Sequence, residues 1–139
     1  MRRFQAVWPT LVALCACAST PTAPSVSPGS DFLLRSGESV TVAGTGFGLR
    51  FDSVANDSRC PADVVCVTEG NAEARFSVTQ AGQPNVQITL HTESSRGGSA
   101  TVDSLTLRLT RLEPYPYSSR SIPPGEYRAW LRVERAASN

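Results

Sequence analysis

The sequence predicts an all-β fold, an antiparallel β-sandwich of immunoglobulin-like or Greek-key type with about six to seven strands, on three observations. Apolar residues recur with a period of two in short runs, which gives each run one face for a core and one for water. Clusters of Gly, Pro, Asn and Ser punctuate those runs at short intervals. Beyond the N-terminal segment, no window of twelve residues carries an apolar stripe at helical spacing.

The chain opens with Arg2 and Arg3, an apolar run from about Ala6 to Ala16, and then Leu14-Cys15-Ala16-Cys17. A short positive region, about eleven apolar residues and small residues at the end form a secretory signal, too short to span a bilayer. Residues 1–16 are therefore expected to be removed. Leu14-Cys15-Ala16-Cys17 resembles the bacterial lipobox, which makes Cys17 the lipidation site and the mature protein an anchored lipoprotein; Leu14 is large for the position before Cys15, which makes that cysteine the weaker candidate. An ordinary signal cut after Ala18 is the alternative. It would leave an unpaired cysteine unexplained. Two or more acyl chains anchor a protein stably, so the expected address is the bacterial cell envelope, at the outer membrane or the periplasmic face. Residues 17–30 follow as a lipidated cysteine and a Ser/Thr/Pro-rich stretch with three prolines, read as a disordered tether.

The folded part is expected over residues 31–135. Its strand signals, in order, are Val40 and Val42; Phe47, Leu49 and Phe51; Ala72, Ala74, Phe76 and Val78; Val86, Ile88 and Leu90; Leu105, Leu107 and Leu109; and Tyr127, Ala129, Leu131 and Val133. Between them lie the turn clusters Gly44-Thr45-Gly46, Ala81-Gly82-Gln83-Pro84-Asn85, Ser94 to Ser99 and Pro123-Pro124-Gly125. Leu109 and Leu112 cannot both face inward on a strict pleat, so a bulge is expected near Thr110–Arg111. Glu113-Pro114-Tyr115-Pro116-Tyr117 cannot continue a central strand, because proline has no donor.

Loss of the signal takes Arg2 and Arg3 away and leaves eleven arginines against twelve acidic residues, a formal charge of −1. That balance lacks the basic field of a nucleic-acid binder. Cys60 and Cys66 then remain as an even pair in an exported chain, most simply a disulfide. Five intervening residues exclude the C-x-x-C redox centre, and a lone C-x5-C lacks further zinc ligands.

The segment Asp57-Ser58-Arg59-Cys60-Pro61-Ala62-Asp63-Val64-Val65-Cys66 resembles a D-S-R-C-P-x-x-V-x-C motif of small bacterial exported proteins and lipoproteins of all-β type. Val67-x-x-Gly70-x-Ala72, the hydrophobic strand before the motif, Leu112-Glu113-Pro114-Tyr115-Pro116 and the closing strand Tyr127 to Val133 extend the likeness over most of residues 40–134. Thr68-Glu69 stand where that pattern has Trp-Ala, so no role for an aromatic is carried over there. The resemblance implies an architecture and an address, and no particular activity.

Candidate chemistry is sparse. The motif reads as a stapled crossover in which Asp57 and Arg59 satisfy one another or nearby backbone, with two alternatives: Arg59 presented as the bait of a protease inhibitor, or a calcium site from Asp52, Asn56, Asp57 and Asp63. His91, the one histidine, falls on the wet face and lacks a second metal-ligating histidine. A triad would have to use it, yet no serine sits in a G-x-S-x-G element. Trp130, Tyr115 and Tyr117 are the candidate contact residues, wet-face or loop aromatics suited to a protein or glycan partner. The expectation is a non-enzymatic binding or scaffolding domain without a cofactor. An inhibitor or small hydrolase using the Cys60–Cys66 loop is its rival.

Overall fold

The computed structural model describes residues 23–136 and forms a two-sheet sandwich, as the alternation predicts. Nine strands follow in chain order: β1 (Ser25–Val26), β2 (Asp31–Arg35), β3 (Ser39–Val42), β4 (Phe47–Asp57), β5 (Ala72–Gln80), β6 (Val86–His91), β7 (Ser99–Val102), β8 (Leu105–Glu113) and β9 (Arg128–Arg135). One sheet runs β1-β3-β4-β5-β6 and the other β2-β9-β8-β7. All pairings are antiparallel except β1 on β3.

Three of the nine strands lie outside the runs with clear alternation. β1 is too short to show a period, and Ala100 and Val102 of β7, only partly buried among polar neighbours, give a weak one. In β2 the consecutive Phe32-Leu33-Leu34 hides it, because Leu33 sits on the outer face opposite Trp130 while its neighbours are buried. The placement of β1 also corrects the tether boundary. Ser25 and Val26 pair with Thr41 and Val42, and the Gly29 N–H donates to the Val133 carbonyl at 2.7 Å, so this part of the stretch lies on the sandwich. The signal peptide and Cys17 lie outside the described residues.

Most of the core is what the alternation selects, with Phe32 and Leu34 of β2 added to it and Val86, 42% exposed, left out. Phe51, Phe76, Leu34, Leu90 and Leu131 are fully buried, and the Phe51 and Phe76 rings stack with centroids 5.0 Å apart. Between Leu109 and Arg111 the β8–β9 register shifts by one residue, which resolves the phase conflict at the expected place and returns Leu112 to the core. Two further irregularities in β4, at Phe51/Ser53 and Val54/Asp57, carry that strand to one end of the sandwich. There it hands over to the long connection between β4 and β5.

Candidate binding surface at the stapled end

The β4–β5 ladder continues into that connection through backbone bonds from Ser58 N–H to Asn71 O and from Cys60 N–H to Glu69 O, both 2.8 Å. Gly70 permits so close an approach: its φ is +70°, and a Cβ there would overlap the Ser58 carbonyl oxygen. Beyond it Cys60 and Cys66 are bonded to each other, as their pairing by elimination predicts, and close the tip of the loop.

Beneath the tip, Arg59 and Asp57 form a buried pair. The guanidinium donates from Nε to Asp57 Oδ1 (2.8 Å) and from Nη2 to Asp57 Oδ2 (2.6 Å). It also donates from Nη1 to Leu112 O (2.7 Å) and from Nη2 to Pro114 O (3.0 Å). Four of its five N–H groups are thus used, two on the loop's own carboxylate, one on the end of β8 and one on the residue just after it. The Tyr127 hydroxyl donates to Asp57 Oδ2 at 3.0 Å, and the Tyr115 ring covers the guanidinium at 5.3 Å. Burial pushes the Asp57 carboxyl upward, but the hydrogen bonds and charge of Arg59 outweigh it and hold the group below its ordinary range. Tyr127 moves the other way. Desolvation first, then the Asp57 charge, raise its hydroxyl to about 12.

A second set of contacts ties the tip to the segment before β9. Ala62 N–H donates to Pro116 O at 2.9 Å, and Asp63 accepts from the Ser118 N–H at 2.8 Å and from its hydroxyl. Those two bonds hold the Asp63 carboxyl below its ordinary range. The result is a double loop braced from below and from the side. Its outer surface carries an apolar cluster beside the exposed Asp63, Thr68 and Glu69: Val65 and Val67 are 102% and 103% exposed, Val64 44%, Tyr115 50% and Tyr117 56%.

Several side chains sit differently from what alternation and motif lead one to expect. Arg59, the bait candidate, is 7% exposed and bonded through four of its five N–H groups, so no guanidinium projects from the loop. Its reading as a partner for Asp57 and nearby backbone is the one the geometry realises. Trp130 is half-buried on the outer face of the second sheet, stacked by Arg111 at 4.9 Å, with its indole N–H buried and unpartnered. It offers no projecting anchor. Tyr115 and Tyr117 do lie exposed, as expected of contact residues. His91 is half-buried instead of solvated: the Asn71 side-chain amide lies 2.9 Å from Nδ1, and Asn71 Oδ1 accepts from the Glu93 N–H. Asn71 thus bridges the His91 ring and the Glu93 backbone. Asn71 is the residue that sequence reasoning missed. Its one signal is its place between Gly70 and Ala72 in the motif.

The calcium candidates separate. Asp52 accepts from the Ser77 hydroxyl, Asn56 donates to Glu73, Asp57 pairs with Arg59, and Asp63 holds Ser118. No group of three or more His, Cys, Asp or Glu side chains among the described residues is arranged to hold a metal ion. Beside the loop base lies an open depression of about 650 Å³, lined in part by Asn56, Glu69, Asn71, Glu73, Glu93 and Arg96. The Ser95 hydroxyl and Arg96 hold the Glu93 carboxyl below its ordinary range. No helix among the described residues is long and apolar enough to cross a membrane. Compared with protein-family models, with curated proteins and with solved structures, the chain matches none.

Proposed function

We propose that this protein is a lipid-anchored domain of the bacterial cell envelope that works by binding or scaffolding, with the stapled double loop as its contact end. One observation carries the reading: of the six large apolar side chains exposed among the described residues, five crowd this end and only Val86 lies elsewhere. Exposed apolar groups scattered singly need no explanation, but a cluster on a braced support does. Bracing matters energetically. A surface already fixed loses little conformational entropy when something covers it. Two sequence features support the reading: Leu14-Cys15-Ala16-Cys17 resembles a lipobox that would supply the anchor, and the D-S-R-C-P motif resembles that of exported all-β proteins.

Two measurements test the reading. Cys17→Ser is expected to abolish palmitate incorporation and flotation with membranes while leaving the fold intact; equal labelling of the variant refutes the anchor. For the contact end, a photo-crosslinking residue at position 117 in living cells is expected to give discrete adducts, and one at Gln83 at the far end none. Equal yields at both positions defeat the assignment. A hydrolytic activity of the purified protein that His91→Ala removes would replace it with the enzymatic rival.

A further inference from the structure

We infer that what the contact end meets is the bilayer itself: the Val64, Val65 and Val67 tip dips into the membrane surface, with Tyr115 and Tyr117 at the level of the headgroups. The inference rests on the lipid anchor proposed at Cys17, and it follows from the length and direction of the leash. Only six residue steps separate Cys17 from Ala23. However they are arranged, they span at most about 21 Å. β4 alone, with eleven residues, is about 36 Å long. The folded part is therefore kept within a distance of the membrane that is shorter than its own length.

Strand direction selects the surface. β4 runs toward the stapled end, β3 runs against β4, and β1 lies parallel to β3. The chain preceding Ser25 thus leads back along the sheet toward the double loop. Ala23 lies at the level of Arg50 and Ser77, seven residues of β4 short of Asp57, or about 23 Å. The leash and this stretch of strand match in length, so a leash extended along the sheet reaches no further than the level of Asp57, and the tip, which continues past Cys60, stands beyond it.

Chemistry agrees with geometry. Valines exposed to their full extent gain by leaving water, and tyrosines, apolar in body and polar at the tip, suit the interface between headgroups and hydrocarbon. Charge is the negative control. The acids of this end include Asp63, Glu69, Glu73, Glu93, Glu113 and Glu126, and its arginines are paired: Arg59 is buried on Asp57, Arg96 pairs with Glu93, Arg111 and Arg128 with Glu113, and Arg120 with Glu126. No arginine among the described residues at this end is without an acidic partner to draw the tip to anionic lipid, so apolar contact carries it.

The test uses the full lipidated protein in phosphatidylcholine vesicles containing lipids brominated high in the acyl chain. Val67→Trp adds a reporter at an open position, and its emission above that of the parent, which retains Trp130, is expected to fall at least twofold. Gln83→Trp at the opposite end is expected to be unaffected, and Val65→Asp added to Val67→Trp to restore most of the emission. Anionic lipid in place of a third of the phosphatidylcholine should not deepen the quenching. Vesicles that float with the protein but leave Val67→Trp unquenched overturn the bilayer contact and keep the anchor, as does quenching at Gln83→Trp instead. Protein left behind by the vesicles refutes the anchor, and with the leash gone the bilayer contact falls too.

Discussion

At one end of the sandwich, residues 43–46, 81–85 and 103–104 reverse the chain with little more than backbone permissiveness: Gly44, Gly46, Gly82 and Asp103 take positive φ, and polar side chains face water. At the other, the fourteen residues from Ser58 to Asn71 are held by a disulfide, a buried ion pair and bonds to two distant segments. Hairpin reversal needs none of this. The turn end solves a problem of connectivity, whereas the stapled end spends buried charge and a cross-link on holding an apolar surface in one shape. Buried ion pairs are weak evidence for stability in themselves, because desolvation offsets most of their attraction. Fixed geometry is what this one supplies, through the Leu112 and Pro114 carbonyls that it joins to Asp57.

Removing one partner of that pair should give the largest contrast between the ends. Asp57→Ala leaves a buried guanidinium without its counter-charge and is expected to cost about 3–5 kcal/mol in chemical denaturation. Gln83→Ala in the opposite turn should stay within about 0.5 kcal/mol. Equal, small losses at both positions would show that the pair is solvated and the bracing idle.

Glycines sharpen the same comparison. Gly70→Ala drives a Cβ onto the Ser58 carbonyl at positive φ and should cost more than about 2 kcal/mol. Gly82 has positive φ but open space around its missing Cβ, so Gly82→Ala should cost only about 1 kcal/mol. Matching values from thermal melts would place the strain in φ alone and not in the close approach. Next in size is the disulfide. Changing Cys60 and Cys66 together to Ser should remove about 2 kcal/mol, the small effect of a short closed loop. It should also increase proteolysis at Val64–Val67 while leaving the strands protected from hydrogen exchange.

These contrasts follow the line between what the sequence made legible and what it did not. Six strands, the Thr110 bulge and the Cys60–Cys66 bond could be read, because alternation, a phase slip and an even cysteine count are local signals. β1 and β7 were illegible for the same reason: two residues leave no period, and Ala100 and Val102 of β7, only partly buried among polar neighbours, give a weaker one than Val40 and Val42 of β3. Side-chain roles at the stapled end depended on contacts more than fifty residues apart, such as Arg59 with Leu112 and Asp57 with Tyr127. The motif marked Asp57 and Arg59 as a pair. It said nothing of the tyrosine below them or the two carbonyls that bury the guanidinium. Trp130 and His91 were placed by strict alternation on wet faces, and both are half-covered by neighbours on adjoining elements, Arg111 and Asn71.

The finest test of the braced end is a hydroxyl. Tyr127→Phe keeps the buried ring and deletes only the donor to Asp57, so about 1 kcal/mol should be lost at neutral pH. Its pH dependence carries more information than its size. Below pH 10 the tyrosine is neutral in both the folded and the unfolded chain, and its contribution is whole. As pH rises the unfolded chain ionises from 10.0 while the folded state keeps its proton to about 12, so wild-type stability should fall across that window. Tyr127→Phe should lack that part of the alkaline decline. At the acid side the sign reverses: the Asp57 pKa is depressed below 3.8, so its contribution stands above that value and is lost as pH falls beneath it. Tyr127→Phe should keep this acid limb, since Arg59 still holds the carboxylate. Urea midpoints of both proteins between pH 3 and 12 decide the matter, and identical alkaline limbs would remove Tyr127 from the brace and leave Arg59 as its one support.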